Sequence, residues 1–193
     1  MTPVKPQHEL LLAQRAHLGN LLEAIQRCVY FLNASDASLV WPLTGDMLTL
    51  HKKDASFFEA LAAVNERFSK LQDTLGSAMR HSLLLSGEQA DSFIKVLAIF
   101  EKLGVIRSID DWQAARSARN LAAHDYEIDY HLVAEHFNAL HSLRMDMWGV
   151  ACRFVHYCAQ DLHVHPSSAD FSNEFAAITG AGSAWPGTLK SEL

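Results

Sequence analysis

Basic residues are in the minority in this chain: 16 lysines and arginines stand against 22 aspartates and glutamates, for a formal net charge of -6. No global basic field attracts nucleic acid, so any RNA contact has to come from a local patch. Cysteine is scarce. Cys28, Cys152 and Cys158 are odd in number and each falls in an apolar helical pattern, which speaks against a disulfide framework and for reduced thiols in a cytoplasmic core. No apolar run approaches the length that crosses a bilayer. The opening Met1-Thr2-Pro3-Val4-Lys5-Pro6 has one basic residue and no apolar stretch, so no secretory signal is expected and the expected location is the cytoplasm. Period-two alternation never lasts long enough to mark a strand. There is no internal repeat, no Gly-rich phosphate loop, no serine nucleophile elbow and no paired-carboxylate signature, which removes the enzyme classes built on them.

What is present is apolar spacing of three and four residues, the mark of helices packed side by side. With 193 residues, 49% of them hydrophobic, the chain has material for one real core. Helices are expected near 7–33, 56–85, 88–103, 110–125 and 131–160. The first carries Leu11, Leu18, Leu21, Ile25, Cys28 and Leu32, and is expected to break at Ala34-Ser35-Asp36-Ala37-Ser38. Trp41-Pro42-Leu43-Thr44-Gly45 reads as a turn. The second carries Phe57, Leu61, Val64, Phe68, Leu71, Leu75 and Ala78, with Ser56 and Glu59 as a capping box. Ser86 and Gln89 suggest another capping box, opening a helix with Phe93, Val96, Leu97, Phe100 and Leu103, and Gly104 suits its C-terminal cap. Trp112, Ala115, Ala118 and Ala122 mark the next. The last long helix carries Val133, Phe137, Leu140, Met147, Ala151, Phe154 and Cys158. Together these give an all-α, up-and-down antiparallel helical bundle with one side split into two shorter helices. The bundle is assigned to residues 1–165, with an interhelical insertion at 34–53. Residues 166–193 form a C-terminal tail in which Phe171 to Ile178 suits one short helix.

One segment carries a cluster of chemistry: Arg116-Ser117-Ala118-Arg119-Asn120-Leu121-Ala122-Ala123-His124-Asp125-Tyr126. On a helix, Arg119 and Tyr126 share a face, Asn120 and His124 are neighbours, and the two pairs lie side by side. A guanidinium, an amide, an imidazole and a phenol thus form one patch, left uncrowded by three alanines.

The pattern Arg-x4-His-x-Tyr, with Asn after the Arg, resembles the signature of HEPN domains. Lys102-Leu103-Gly104-Val105-Ile106, Asp111-Trp112, Arg119-Asn120 and His124-Asp125-Tyr126 resemble the third-helix region of HepT-like toxins and of nucleotidyltransferase substrate-binding subunits. The likeness is specific across about Asp54 to Tyr126. It implies a four-helix HEPN bundle, a homodimer with two motifs facing one cleft, and, as in the toxin members, metal-independent RNA cleavage without a cofactor. A nucleotidyltransferase antitoxin is the implied partner, and Tyr126 the implied site of adenylylation. In that chemistry His124 moves a proton at near-neutral pH and Arg119 stabilises phosphoryl charge. Asn120 orients the imidazole or binds phosphate, and Tyr126 contacts base or phosphate.

Structural readings stand beside these. Arg119 could pair with Asp111 or another carboxylate, His124 could cap a helix C-terminus, and Tyr126 could be a core-edge aromatic. Arg67, Gln72 and Asp73 flank the second apolar stripe, where ion pairing on a solvated face is the ordinary role. The sharper alternative has Asp73 facing the motif and orienting Arg119. Cys152, His156, Cys158, His163 and His165 lack zinc-finger spacing, so no metal is expected. His131, His136 and His141 fall on the polar side of the last helix. The functional alternatives to a ribonuclease toxin are a non-catalytic substrate-binding subunit of a nucleotidyltransferase and a plain helical interaction protein.

Overall fold

The computed structural model describes residues 5–88, 90–122 and 129–180, without the side chains of residues 5–7 and 122. Among them are seven helices and no strand: α1 Lys5–Ala37, α2 Gly45–Leu50, α3 Ala55–Leu85, α4 Phe93–Lys102, α5 Ile109–Ala122, α6 Tyr130–Asp161 and α7 Ser172–Thr179. The chain is an all-α helical bundle. Helix α1 packs most extensively on α3, and α6 touches α3, α5 and α2. No described helix is long and apolar enough to cross a membrane.

The heptad-like spacing translates into burial on α3, where Leu61, Val64, Phe68, Leu71, Leu75 and Ala78 are all in the core. On α6, Val133, Phe137, Leu140, Met147, Ala151, Phe154 and Cys158 are buried as well. On α1, Leu18, Ile25 and Leu32 are buried as expected, but the rest of the stripe differs. Leu22 and Val29 are fully buried, Leu21 and Cys28 are only half-buried, and Leu11 is exposed. Leu103, at the end of the α4 stripe, is exposed too.

Several boundaries differ from expectation for local reasons. α1 continues through Ala34–Ala37 instead of breaking, because Asp36 and Ser35 are tied into the bundle: Arg67 donates to Ser35 Oγ, and Asp36 binds His141 and Arg144 of α6. The insertion contains α2, a single short helix capped by Thr44, whose side chain accepts from Met47 N at 3.2 Å. It lies against α6, where a side chain on Gly45 would strike the His131 ring. The expected Ser56–Glu59 capping box does not form. Asp54 is the cap of α3, accepting from Phe57 N at 3.2 Å, and Ser56 donates to Asp54 instead. Ser86 closes α3, with Gly87 at φ +76 and Glu88 N donating to Leu83 O, a left-handed helix stop. α4 starts only after Ser92, and Gln89 lies outside the described residues. Gly104, at φ +70, ends α4 by the same device, with Val105 N donating to Phe100 O at 2.9 Å.

Helix α7 begins one residue later than the Phe171 expected and docks on α1 and α6 through buried Phe175. His141 is no plain surface histidine: it stacks on Trp41 with ring centroids 4.3 Å apart and binds Asp36. All three cysteines are free thiols.

Candidate functional site

Helix α5 is positioned by its small, apolar face. Trp112, Ala115 and Ala118 sink into the core at helical spacing, which leaves Arg116, Arg119 and Asn120 at the side and surface. Asp110 and Asp111 occupy its first turn, where the helix dipole favours negative charge.

Arg119 leans onto α3. Its Nη1 donates to the carbonyl of Ser69 at 3.0 Å and pairs with Asp73 Oδ1 at 2.8 Å, two acceptors one turn apart on that helix. Asp111, the other partner considered from the sequence, makes no such pair; its backbone N–H donates to the Ser108 hydroxyl oxygen at 3.0 Å as the local helix-start contact. The two members of the pair differ in solvation: the Arg119 side chain is 13% exposed and that of Asp73 65%. Next to Asp73 on α3, Gln72 bridges the same two helices. It is 2% exposed, and its Nε2 donates to the carbonyl of Trp112 at 2.9 Å. Its Oε1 is buried without a partner, which leaves an acceptor for a donor arriving from outside the fold.

These residues line a cleft of about 360 Å³ between α3 and α5, closed at one end by Phe93 of α4. Gly76 forms part of the wall; a Cβ there would come within 3.1 Å of the Phe93 ring and 3.7 Å of Trp112. The cleft gathers three guanidiniums, of Arg80, Arg116 and Arg119, against the single carboxylate of Asp73. Arg80 lies over the Phe93 ring at 5.4 Å. Neither Arg80 nor Arg116 has an ion pair among the described residues, since the pairs formed there involve other cations. An acidic chain thus carries one local cationic recess, of a size that suits a small polar ligand.

Of the residues singled out in the sequence, the structure brings Arg119 and Asp73 together and leaves Asn120 exposed on the neighbouring side of α5. His124 and Tyr126 lie outside the described residues. Sequence reasoning missed Arg80 and the burial of Gln72. The signal for Arg80 was its place on a polar line, Asp73, Ser77 and Arg80, at spacings of four and three on α3. Among the described residues no group of three or more histidines, cysteines, aspartates or glutamates could hold a metal ion. A smaller cavity of about 50 Å³ on the other side of α5 is lined chiefly by apolar residues, including Ile106 and Met147. No family model, curated protein or solved structure matches the chain.

Proposed function

We propose that this chain is a metal-independent endoribonuclease of the HEPN type, with Arg119 the stabilising cation and His124 the proton carrier. The observation that supports it most is the position of Arg119 in a cleft holding three guanidiniums against one carboxylate, in a chain of net charge -6. That recess is the local patch an acidic RNA-binding protein requires. In the proposed reaction the ribose 2′-oxygen bonds to phosphorus as its proton is withdrawn. The bond from phosphorus to the 5′-oxygen breaks, and a proton reaches the leaving oxygen. His124 carries one of these protons. Arg119 offsets the charge that gathers on the phosphoryl oxygens, and Asp73 and the Ser69 carbonyl fix its orientation. Asn120 and Tyr126 contact the strand.

The finer architecture belongs to the same reading. Helices α4 and α5 are the split side of a HEPN bundle, and a homodimer sets two motifs across one cleft. A nucleotidyltransferase antitoxin silences the enzyme by adenylylating Tyr126. A second reading, the substrate-binding subunit of a nucleotidyltransferase, draws support from the two acceptors already bound to Arg119, which suit a held cation better than a mobile catalytic one.

The test compares wild type, Arg119→Ala and His124→Ala on defined single-stranded RNA in EDTA, after matching their helical circular dichroism. Wild type is expected to cleave, and loss of proton transfer to slow cleavage by about a hundredfold or more. Equal cleavage by wild type and His124→Ala would reveal a contaminant. Absence of cleavage by all three, where a related toxin cuts, transfers the assignment to the binding subunit. A strict monomer in sedimentation at micromolar concentration would count against the paired active site.

A further inference from the structure

The cleft extends well past Arg119. Gln72 and Gly76 meet Trp112, while Ser69 and Asp73 meet Arg119, so the start of α5 lies further along α3 than Arg119 does. Moving from Arg119 towards the start of α5 therefore means moving up α3 towards Arg80. Arg116 comes first, one turn from Arg119. Arg80 follows, seven positions beyond Asp73, or about 10 Å along the α3 axis at the helical rise per residue. Arg119 has its counter-charge in Asp73, but Arg116 and Arg80 have no carboxylate among the described residues. Two uncompensated cations thus lead away from Arg119 along one groove, and the unpartnered Oε1 of buried Gln72 stands in its wall.

We infer that this groove is a strand track: Arg116 and Arg80 seat successive phosphates of the single-stranded RNA that passes Arg119, and Gln72 Oε1 accepts from a hydroxyl or amino group of the same strand. The assignment of RNA rests on the ribonuclease reading above, but the two arginines lie outside the Arg-x4-His-x-Tyr pattern and their role is separable from cleavage. Gly76 keeps the groove open, because any side chain there would fill the space beside Phe93. The stacking of Arg80 on Phe93 holds the guanidinium over the groove without consuming its charge.

Counterion release makes the role measurable. Each phosphate contact to a single strand contributes about 0.7 to the slope of log affinity against log salt. The probe is a fluorescein-labelled 2′-O-methyl oligouridylate, which lacks the nucleophilic hydroxyl and so reports binding alone, read by anisotropy across a salt series on the full chain. Arg80→Ala and Arg116→Ala are each expected to weaken binding by about tenfold, in keeping with loss of a charged hydrogen bond. Each should also lower the slope by about 0.7, and the double variant by about 1.4. Arg27→Ala, on α1 and over Phe171, is the control and should keep the wild-type slope. An unchanged slope in the double variant overturns the inference, as does wild type failing to bind the probe. Binding of a polyglutamate peptide through the same arginines, without binding of the probe, overturns it in favour of an acidic protein partner. Normal probe binding and slopes with no cleavage of unmodified RNA would sink the ribonuclease reading and leave the strand track standing.

Discussion

Arg119 of α5 and Asp73 of α3 meet at 2.8 Å across a separation of 46 positions in the chain, and they do so asymmetrically. The cation is largely enclosed, while the carboxylate faces water. The pair therefore does little for stability, yet it decides how Arg119 points and how much charge the cleft presents. These two effects can be pulled apart.

Asp73→Asn is expected to change folding stability by less than about 1 kcal/mol, because an exposed carboxylate loses little when it is neutralised. Removing a negative charge from the cleft should tighten binding of a non-cleavable oligonucleotide by a few-fold, consistent with about 1 kcal/mol for a charge at contact distance in water. On the ribonuclease reading proposed above, single-turnover cleavage should fall, since Arg119 loses the partner that orients it. Weaker oligonucleotide binding by the variant would contradict this division of roles.

Asp36 is a different kind of acid. It is buried, and its two oxygens bind His141 Nδ1 at 2.7 Å and Arg144 Nε at 3.0 Å. Asp36→Ala leaves Arg144 largely enclosed without its counter-charge and should cost about 3 kcal/mol or more in urea denaturation. A double-mutant cycle with His141→Ala should show coupling of about 0.5 kcal/mol or more between the two positions. A loss below about 1 kcal/mol for Asp36→Ala would mean that solvent reaches the site and replaces the carboxylate.

Burial, with a smaller contribution from the charge of Asp161, pushes the Cys158 thiol up to about 12 from its ordinary value of 9.0. Below the ordinary value the thiol is protonated in both folded and unfolded chains and stability does not depend on it. Between the two values only the unfolded chain releases the proton, so stability falls as pH rises through that window. Cys158→Ala should flatten this alkaline loss when melting temperature is followed against pH. At pH 8 a thiol reagent should leave Cys158 untouched in the folded protein and modify it at the rate of unfolding. Rapid modification under native conditions would show that the thiol is reachable.

The long helices were legible because their burial follows directly from spacing: Phe68, Leu71 and Leu75 on α3, and Phe137, Leu140 and Phe154 on α6, are core residues by period alone. On α1, Leu18, Ile25 and Leu32 were legible in the same way, but Leu22 was not, since Leu21 and Leu22 are equally apolar and only the position of the neighbouring helices selects Leu22. Helix α2 has six residues, too few to display a period. Its stability comes from the Thr44 cap and from Asn138, whose side chain donates to Leu43 O and accepts from Leu43 N across the chain. Gln72 reads as a surface residue because polarity is local information, whereas its partner is a backbone carbonyl 40 positions away. Of the cleft, Arg119 stood out by its motif and Asp73 by its flank. Arg80 has no motif, and only the arrival of α5 beside α3 makes it a neighbour of Arg116.

Arg15 near the start of α1 donates to the carbonyls of Leu162 and His163, and Ser167 N donates to Gly19 O beside it. These bonds close separations of 147 and 148 positions, while α1 and α3 are separated only by residues 38–54, which include α2. Loop-closure entropy separates such contacts in time: near neighbours pair first, and distant ones wait for an already compact chain. During synthesis, α1 can find α3 early, but Arg15 has no acceptor until residue 163 has emerged. The seam between α1 and the segment after α6 is thus the last part of the bundle to close, and an arrested nascent chain would display α1 with one side still unclaimed.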